Sequence, residues 1–350
     1  MTQKHLTTLL LFLLAILILW WFGRGLDWVE VRNSMSHADT KYLAAATFLV
    51  WLTYLLRAYR WQALLQPMAN ASLRDLFIAN VVGFSAFFLA GRAGEVVRPA
   101  VLSLRDRRIR PAASFATILV ERIFDFVAIV LLFAVNLTWF QTPAGHEVDF
   151  SYLREIGLLL LICTVVGLGI LFCFARGANS VISSIEKRVN GWSSTPKRLG
   201  QLLISMLEHL AKAFRVLAYQ RDFVVASIWT ALLWFVIVLS NVFIIRAFGI
   251  DFGFRESIFM MGFALVGSLV PTPGGAAGAF HAAAAAGLIF LGVKREPAAA
   301  ISILVHLVDF GPALVFALYY LVRGEVTLVR LRKIGPTEPA PLSPPETITP

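Results

Sequence analysis

The sequence predicts an all-helical polytopic membrane protein, and three observations support that prediction. Mean hydropathy is +0.76, and only 15% of the 350 residues are charged, against about 25% in a typical soluble domain. Apolar runs of about 17 or more residues recur, which is the length that crosses a hydrocarbon core of about 30 Å. Lysines and arginines gather in some connections between these runs and avoid others, as they do in polytopic proteins.

The apolar runs and the basic connections together predict a topology. Connection 91–111 holds six basic residues and 176–221 holds eight, whereas 141–152 contains none. The positive-inside rule therefore places the first two connections in the cytoplasm and the third outside. The long apolar segments are 6–22, 42–64, 75–90, 112–140, 153–175, 222–246, 257–293 and 298–322.

Two of these segments do not fit a single crossing. Arg57, Arg60 and Arg74 make the residues before 75–90 look cytoplasmic, as the residues after it also are. We therefore expect 75–92 to form a re-entrant hairpin, and 257–293, broken at PTPGG, to form an opposed one. Six full spans plus two hairpins then place both termini in the cytoplasm. The expected location is the cell (inner) membrane.

The predicted layout contains an inverted repeat. Residues 1–140 and 153–322 each follow the order span, span, hairpin, span, so an odd number of crossings inverts the second half. ILVERIFDF at 118–126 also resembles ILVHLVDF at 303–310. Inverted repeats with broken helices are typical of transporters, whose substrate binds near the midplane. The prediction is one transmembrane domain over 1–330, with an amphipathic surface helix at 197–220 and a disordered, proline-rich cytoplasmic tail at 335–350.

The motif GRAGEVVRP, 91–99, is the first candidate site. It combines flexible glycines with guanidinium groups, which recognise phosphate through paired hydrogen bonds. A salt-bridged cytoplasmic turn is the alternative. Its candidate residues are Gly91, Arg92, Gly94, Glu95 and Arg98.

The second candidate is VERIFDF, about ten residues into a predicted span. Glu121 and Asp125 share a helix face at i, i+4, and Arg122 can pair with Asp125 at i, i+3. Charges at that depth are costly and are functional by default, although a purely structural ion pair across helices is the alternative.

The third candidate is the break at PTPGG. A helix that restarts inside the membrane presents bare amides and a positive partial charge to an anion. We expect Pro273, Gly274, Gly275 and Gly278 to form this turn and His281 to lie within two turns of the helix start.

His306 and Asp309 occupy the repeat positions of Glu121 and Asp125. An i, i+3 contact between them would shift the pKa of the His306 imidazole, which can be protonated. For both His281 and His306, a packing role is the alternative.

These motifs resemble the flippase-like family of integral membrane proteins, which includes the membrane portion of lysylphosphatidylglycerol synthases. The likeness covers about residues 6–330 and implies lipid translocation. His281 stands where many members carry Glu or His. The soluble aminoacyl-transferase domain of the synthases has no counterpart, so lysyl transfer is not implied. The residues that match the family's motif positions are Gly91, Arg92, Gly94, Glu95, Glu121, Arg122, Asp125, Pro273, Gly274 and Gly275.

Three classes of function stay open on the sequence. The first, which we favour, is a translocator of an anionic or phosphate-bearing lipid. The second is an intramembrane lipid-modifying enzyme, although HExxH, GxSxG and Cys/His metal spacings are missing from the sequence. The third is an accessory subunit that holds an envelope-lipid enzyme or a glycosyltransferase at the membrane. Membrane lipids are the expected partners; no nucleic acid, cofactor or metal is expected.

Overall fold

A computed structural model describes residues 3–66, 69–109, 111–140, 147–189, 220–270 and 272–324, together with residues 200 and 204. Every regular element in these ranges is helical, so the predicted all-helical class is confirmed. The helices are α1 (Gln3–Gly23), α2 (Trp28–Ser36), α3 (Thr40–Leu65), α4 (Leu73–Ala90), a 3₁₀ turn (Gly91–Val96), α5 (Val97–Arg105), α6 (Pro111–Trp139), α7 (Glu147–Val189), α8 (Gln220–Ala247), α9 (Phe254–Ser268), a short turn (Pro273–Ala276), α10 (Ala279–Phe290) and α11 (Arg295–Val322).

Several of these helices are long and apolar enough to cross a membrane. Within the described ranges they are Thr40–Leu65, Phe150–Ile170, Arg221–Ala247 and Arg295–Val322. Helices α1 and α2 form a fifth candidate if they are counted as one span, although the chain bends by 84° between them. Four or five candidate spans thus stand against the six that the sequence predicts.

Helix α2 is an element that the apolar pattern does not predict. Asp27 starts it, because one carboxylate oxygen accepts hydrogen bonds from the amides of Val29 (2.9 Å) and Glu30 (3.2 Å). Its one fully buried side chain, Val31, packs against Ala299 and Ala300 of α11. A short capped helix therefore ties the end of α1 to the last helix.

Helix α7 is longer than the predicted span 153–175. Its 43 residues extend for about 65 Å at 1.5 Å per residue, roughly twice the thickness of a hydrocarbon core. The first part of the connection 176–221 is therefore helical. The amphipathic helix expected at 197–220 lies outside the described residues except for 200, 204 and 220, and so does the tail at 335–350.

The second predicted hairpin, 257–293, contains a helix, a break and a second helix that packs back on the first. The first, 75–92, does not contain two arms, because α4 continues without a break to Ala90; the helix that packs back on α4 is α5, which lies beyond the predicted segment. The two helix–break–helix units are therefore α4 with α5 and α9 with α10. In the first unit α4 ends at Gly91, whose φ is 62°, and the 3₁₀ turn leads into α5. Gly94 lets this turn lie against α4, because a Cβ there would collide with the backbone of Ala86 and Phe87. In the second unit the chain between Ser268 and Ala279 separates α9 from α10.

Contacts between the two halves follow a reciprocal pattern. Helix α3 packs antiparallel on α8: the Asp39 amide donates to the Ala247 carbonyl (2.8 Å), and Tyr59 stacks on Trp229 with ring centroids 5.2 Å apart. Helix α4 packs on α11 while α9 packs on α6. Helix α5 packs on α6, and α10 packs on α11. The interior is therefore built from both halves.

Candidate functional site

Glu121 is the centre of a buried ion-pair cluster. It lies on α6 with a fully buried side chain, and Arg98 of α5 donates two hydrogen bonds to it, at 3.2 Å and 3.0 Å. A bidentate pair of this kind is the strong form of a carboxylate–guanidinium contact. Arg98 also lies over the ring of Trp61, 4.6 Å from its centroid. Arg98 is thus committed to the protein interior, although the motif GRAGEVVRP predicts that it binds a phosphate group.

Arg60 of α3 completes this cluster, although the sequence motifs do not include it. Its Nη1 donates to Asp125 Oδ1 (2.5 Å), while Nη2 reaches Asp125 Oδ2 (3.1 Å) and Glu121 Oε1 (2.9 Å). The Arg60 side chain is fully buried. The signal in the sequence is the position of Arg60 within a predicted span, where a charge must face a partner and not lipid.

Arg122 is the third arginine of the cluster. The predicted i, i+3 pair with Asp125 is formed at 3.0 Å, and a second pair joins Arg122 to Glu121 at 2.9 Å. The indole N–H of Trp234 also donates to Asp125, at 3.3 Å. Three arginines therefore share two carboxylates, so the charges of Glu121 and Asp125 are compensated where they are buried.

The motif GRAGEVVRP is divided by the structure. Glu95 lines a cavity of about 120 Å³ together with Arg98 and Arg122, at one edge of the cluster. Gly91 and Gly94 form the turn between α4 and α5. The side chain of Arg92 lies outside the described part of the chain.

The glycine break has a backbone that few other residues adopt. Gly274 (φ 76°) and Gly275 (φ 62°) are left-handed, and Ala276 (φ 65°) follows them. Gly278 (φ 86°) is the last residue before α10. The helix therefore restarts at Ala279, three residues later than the restart expected directly after PTPGG. The side chain of Pro273 is not among those described.

Three amides of the break are used within the chain. Ala276 donates to the Thr272 carbonyl (3.2 Å), Ala277 to the Gly274 carbonyl (3.1 Å) and Gly278 to Nδ1 of His281 (3.4 Å). The anion seat predicted for 274–278 therefore has fewer bare amides than expected.

His281 and His306 meet beside this break, with ring centroids 4.8 Å apart. Nε2 of His306 donates to the Gly274 carbonyl (2.9 Å), since a carbonyl can only accept, and its Nδ1 has no hydrogen-bond partner among the described residues. The hydrogen bond expected between His306 and Asp309 is therefore not formed. His306 instead ties α11 to the broken segment.

A cavity of about 210 Å³ occupies the centre of the bundle, with walls from α3, α4, α6, α8, α9, α10 and α11. Asp309 lies about 21 Å along α11 from its first residue, near the middle of that helix. Phe84, Phe87 and Phe310 supply part of the apolar wall. The polar residues in the lining are Thr53, Tyr54, Arg57, Asn241, Ser268 and Asp309.

Arg57 and Asp309 are the charged residues of this lining, and the sequence analysis does not place Arg57 in a site. The Arg57 guanidinium lies over the Phe84 ring, 4.8 Å from its centroid, and makes neither hydrogen bond nor ion pair with any described residue. Asp309 accepts a hydrogen bond from the Tyr54 hydroxyl (2.5 Å) through its main-chain oxygen only. No ion pair within 4.0 Å joins Arg57 to Asp309.

An apolar groove of about 590 Å³ lies between α6, α8 and α9. It follows α6 from Phe124 to Trp139, about 22 Å at 1.5 Å per residue. Near Trp139 the Asn136 side chain donates to the carbonyl of Arg255 (2.9 Å). Trp234 lines both this groove and the central cavity.

Metal-binding geometry is not found in the described ranges, where no group of three or more His, Cys, Asp or Glu side chains converges. The central cavity instead offers one guanidinium group, one carboxylate and several uncharged hydrogen-bonding groups.

The sequence is similar to several known membrane proteins. A UPF0104 membrane protein of Pyrococcus horikoshii is 19% identical over 319 residues, covering 88% of this chain and 93% of that protein. Another UPF0104 membrane protein, from Methanothermobacter thermautotrophicus, is 25% identical over 297 residues, covering 80% and 85%. Glycosyltransferase AglD of Haloferax volcanii is 25% identical over 263 residues, which cover 68% of this chain and 41% of that protein. The family model described as lysylphosphatidylglycerol synthase TM region matches residues 8–317, and this membrane protein therefore belongs to that family.

Proposed function

We propose that the protein translocates an anionic or phosphate-bearing lipid across the membrane. The observation that supports this most is the pairing of the central cavity with the apolar groove, which share Trp234. The cavity is small and contains an arginine that makes no hydrogen bond or ion pair with a described residue; the groove is larger and almost entirely apolar. Together they match the two parts of an amphiphile.

The dimensions support the same assignment. The central cavity, at about 210 Å³, is smaller than the roughly 300–1,000 Å³ of pockets for drug-sized ligands, so it suits a head group and not a whole lipid. The groove runs about 22 Å along α6, more than half of a hydrocarbon core of about 30 Å. An acyl chain of one leaflet would occupy it.

The topology that we propose is six full spans, two opposed re-entrant hairpins and an inverted repeat within one domain, with both termini cytoplasmic in the inner membrane. The reciprocal contacts support the repeat: α3 meets α8 antiparallel, and each hairpin packs on the last span of the other half. An inverted pair of halves that encloses a central cavity is the arrangement expected for alternating access.

The buried charges then divide into two groups. Glu121 and Asp125 join α3, α5 and α6 through arginines, so their main role in this proposal is to hold the cavity wall together. Asp309 has a carboxylate without a hydrogen-bond partner in the described structure, and His306 contacts the break, so these two remain available for gating or coupling.

Reconstitution into liposomes tests the proposal. Phospholipid with a fluorophore on its acyl chain and an unmodified head group would be incorporated in both leaflets, and the fraction quenched by an external reagent would be followed with time. We expect purified protein to accelerate transbilayer movement over protein-free liposomes. Equal rates, with the protein shown to be folded and inserted, would contradict translocation.

A second candidate is an accessory subunit of a glycosyltransferase. Its support is the similarity to part of glycosyltransferase AglD. This alternative predicts that loss of the protein lowers a lipid-linked glycosyltransferase activity in native membranes, while purified protein moves no lipid in liposomes.

A further inference from the structure

We propose that the central cavity selects a zwitterionic head group, with its phosphate on Arg57 and its ammonium group on Asp309. This inference rests on the proposed lipid translocation and narrows its substrate class. It assigns Arg57, which none of the sequence motifs includes, as the phosphate-binding residue.

Arg57 is suited to phosphate because its guanidinium makes no hydrogen bond or ion pair with any described residue. The neighbouring arginines of the ion-pair cluster are all paired with Glu121 or Asp125. The Arg57 guanidinium lies over the face of Phe84 and lines the cavity, so its N–H groups can donate to a ligand bound there. Arginine binds phosphate through two parallel hydrogen bonds, and the low local dielectric strengthens each of them.

Asp309 supplies the opposite charge in the same cavity. Its main-chain oxygen, and not its carboxylate, accepts the Tyr54 hydrogen bond, so the side chain has no hydrogen-bond partner among the described residues. An ammonium group can donate up to three hydrogen bonds to such a carboxylate and to nearby uncharged acceptors. Asn241 offers one acceptor, because its Oδ1 is buried without a partner.

The opposite signs of the Arg57 and Asp309 side chains in one cavity favour a zwitterion over a simple anion. The lining contributes one positive and one negative charge, so a ligand of zero net charge with the reverse arrangement satisfies both. A head group that has phosphate alone would satisfy Arg57 but leave the Asp309 carboxylate facing an anion. Unpaired charge against the wrong ligand is a common source of selectivity.

Binding of lipids with matched acyl chains tests the inference. Phosphatidylethanolamine has a phosphate and an ammonium group, whereas phosphatidylglycerol has the phosphate without the ammonium. We expect the purified full chain, measured by native mass spectrometry, to prefer phosphatidylethanolamine by about tenfold or more, the effect of one charge-assisted hydrogen bond. Asp309→Asn should reduce this preference to within about twofold while phosphatidylglycerol still binds, and Arg57→Gln should weaken both lipids by about tenfold or more.

Control substitutions of the same kind are available at the surface. Arg24→Gln and Asp251→Asn replace exposed residues and should leave both affinities unchanged. Both test variants should fold, because neither side chain forms an ion pair in the described structure and Tyr54 contacts the main chain of residue 309.

The outcomes separate this inference from the proposed function. If wild-type protein moves lipid in liposomes but Asp309→Asn keeps the full head-group preference, the inference is wrong and translocation stands. Equal loss of both lipids in Asp309→Asn would mean that Asp309 meets Arg57 in another conformation and not the ligand, which also overturns it. If wild-type protein moves no lipid at all, the proposed function fails first.

Discussion

Glu121 illustrates how a carboxylate can lie within an apolar bundle. Its side chain is fully buried, and three guanidinium groups approach it, from Arg60, Arg98 and Arg122. Breaking a buried pair by removing one partner costs about 3–5 kcal/mol, because the remaining charge is left uncompensated. Loss of Glu121, whose buried charge the sequence indicates as functional, should therefore affect stability first.

Replacement of Glu121 by glutamine tests this role. We expect Glu121→Gln to lower the free energy of unfolding by about 3 kcal/mol, because two fully or nearly buried arginines lose their shared carboxylate. Thermal unfolding of the purified protein in detergent measures the effect, with Asp251→Asn at an exposed position as the control. An unchanged transition together with lost lipid movement would instead assign Glu121 to the transport step.

The glycine break makes a second prediction at the scale of residues. Gly274 and Gly275 have φ values of 76° and 62°, where an alanine costs about 1–2 kcal/mol. We expect Gly274→Ala and Gly275→Ala each to destabilise the protein by about that amount, so alanine is not the mild change that an anion seat alone would predict. Gly169→Ala, in the middle of α7 with no atom near its Cβ, is the matched control. Wild-type stability in both test variants would contradict this prediction and show that the turn can adopt other backbone dihedral angles.

At the scale of elements, the break at PTPGG is predicted from the sequence, whereas the two arms expected within 75–92 are not found, because α4 continues to Ala90. Gly91 and the run PTPGG interrupt apolar segments, and the chain breaks at both places. Helix α2 is missed because its mixed sequence WVEVRNSMS lacks an apolar stripe and depends on capping by Asp27 and on contact with α11. Such contacts are made between distant parts of the chain and leave no local pattern.

In the candidate site, too, local contacts are predicted from the sequence and contacts between distant segments are not. The i, i+3 pair of Arg122 and Asp125 lies within one helix, so its spacing predicts it. The pairs that Arg60 and Arg98 make with α6 join separate helices, and only the packing of α3 and α5 against α6 brings them together. The expected partner of His306 is wrong for the same reason, because the Gly274 carbonyl from a distant segment occupies Nε2.

Cysteine labelling tests the first hairpin. Helices α4 and α5 fold back on each other, so a re-entrant unit predicts that Gln66→Cys and Arg107→Cys react from the same side of the membrane. Thr142→Cys should react from the opposite side. The exposed Cys163 and Cys173 would first be replaced by serine. Labelling of Gln66→Cys and Arg107→Cys from opposite sides would exclude the hairpin and the inverted repeat with it.

For the whole molecule, the arrangement of charges suggests how the halves divide the work. Arg57 comes from the first half and Asp309 from the second, and both face one cavity between them. A ligand that bridges the two would couple the halves, since its binding depends on their separation. Rocking of one half against the other would then expose the cavity to each side in turn.

Blocking the cavity tests the central claim most directly. Ser268 lines the central cavity, so Ser268→Phe should fill space that a head group needs, whereas Leu159→Phe adds the same ring on the exposed face of α7. The measurement is the rate of transbilayer phospholipid movement in liposomes at matched amounts of folded, inserted protein. The account predicts that Leu159→Phe keeps the wild-type rate and that Ser268→Phe falls by about tenfold or more, toward the protein-free rate. Equal rates for Ser268→Phe and wild type would contradict passage of the lipid head group through this cavity.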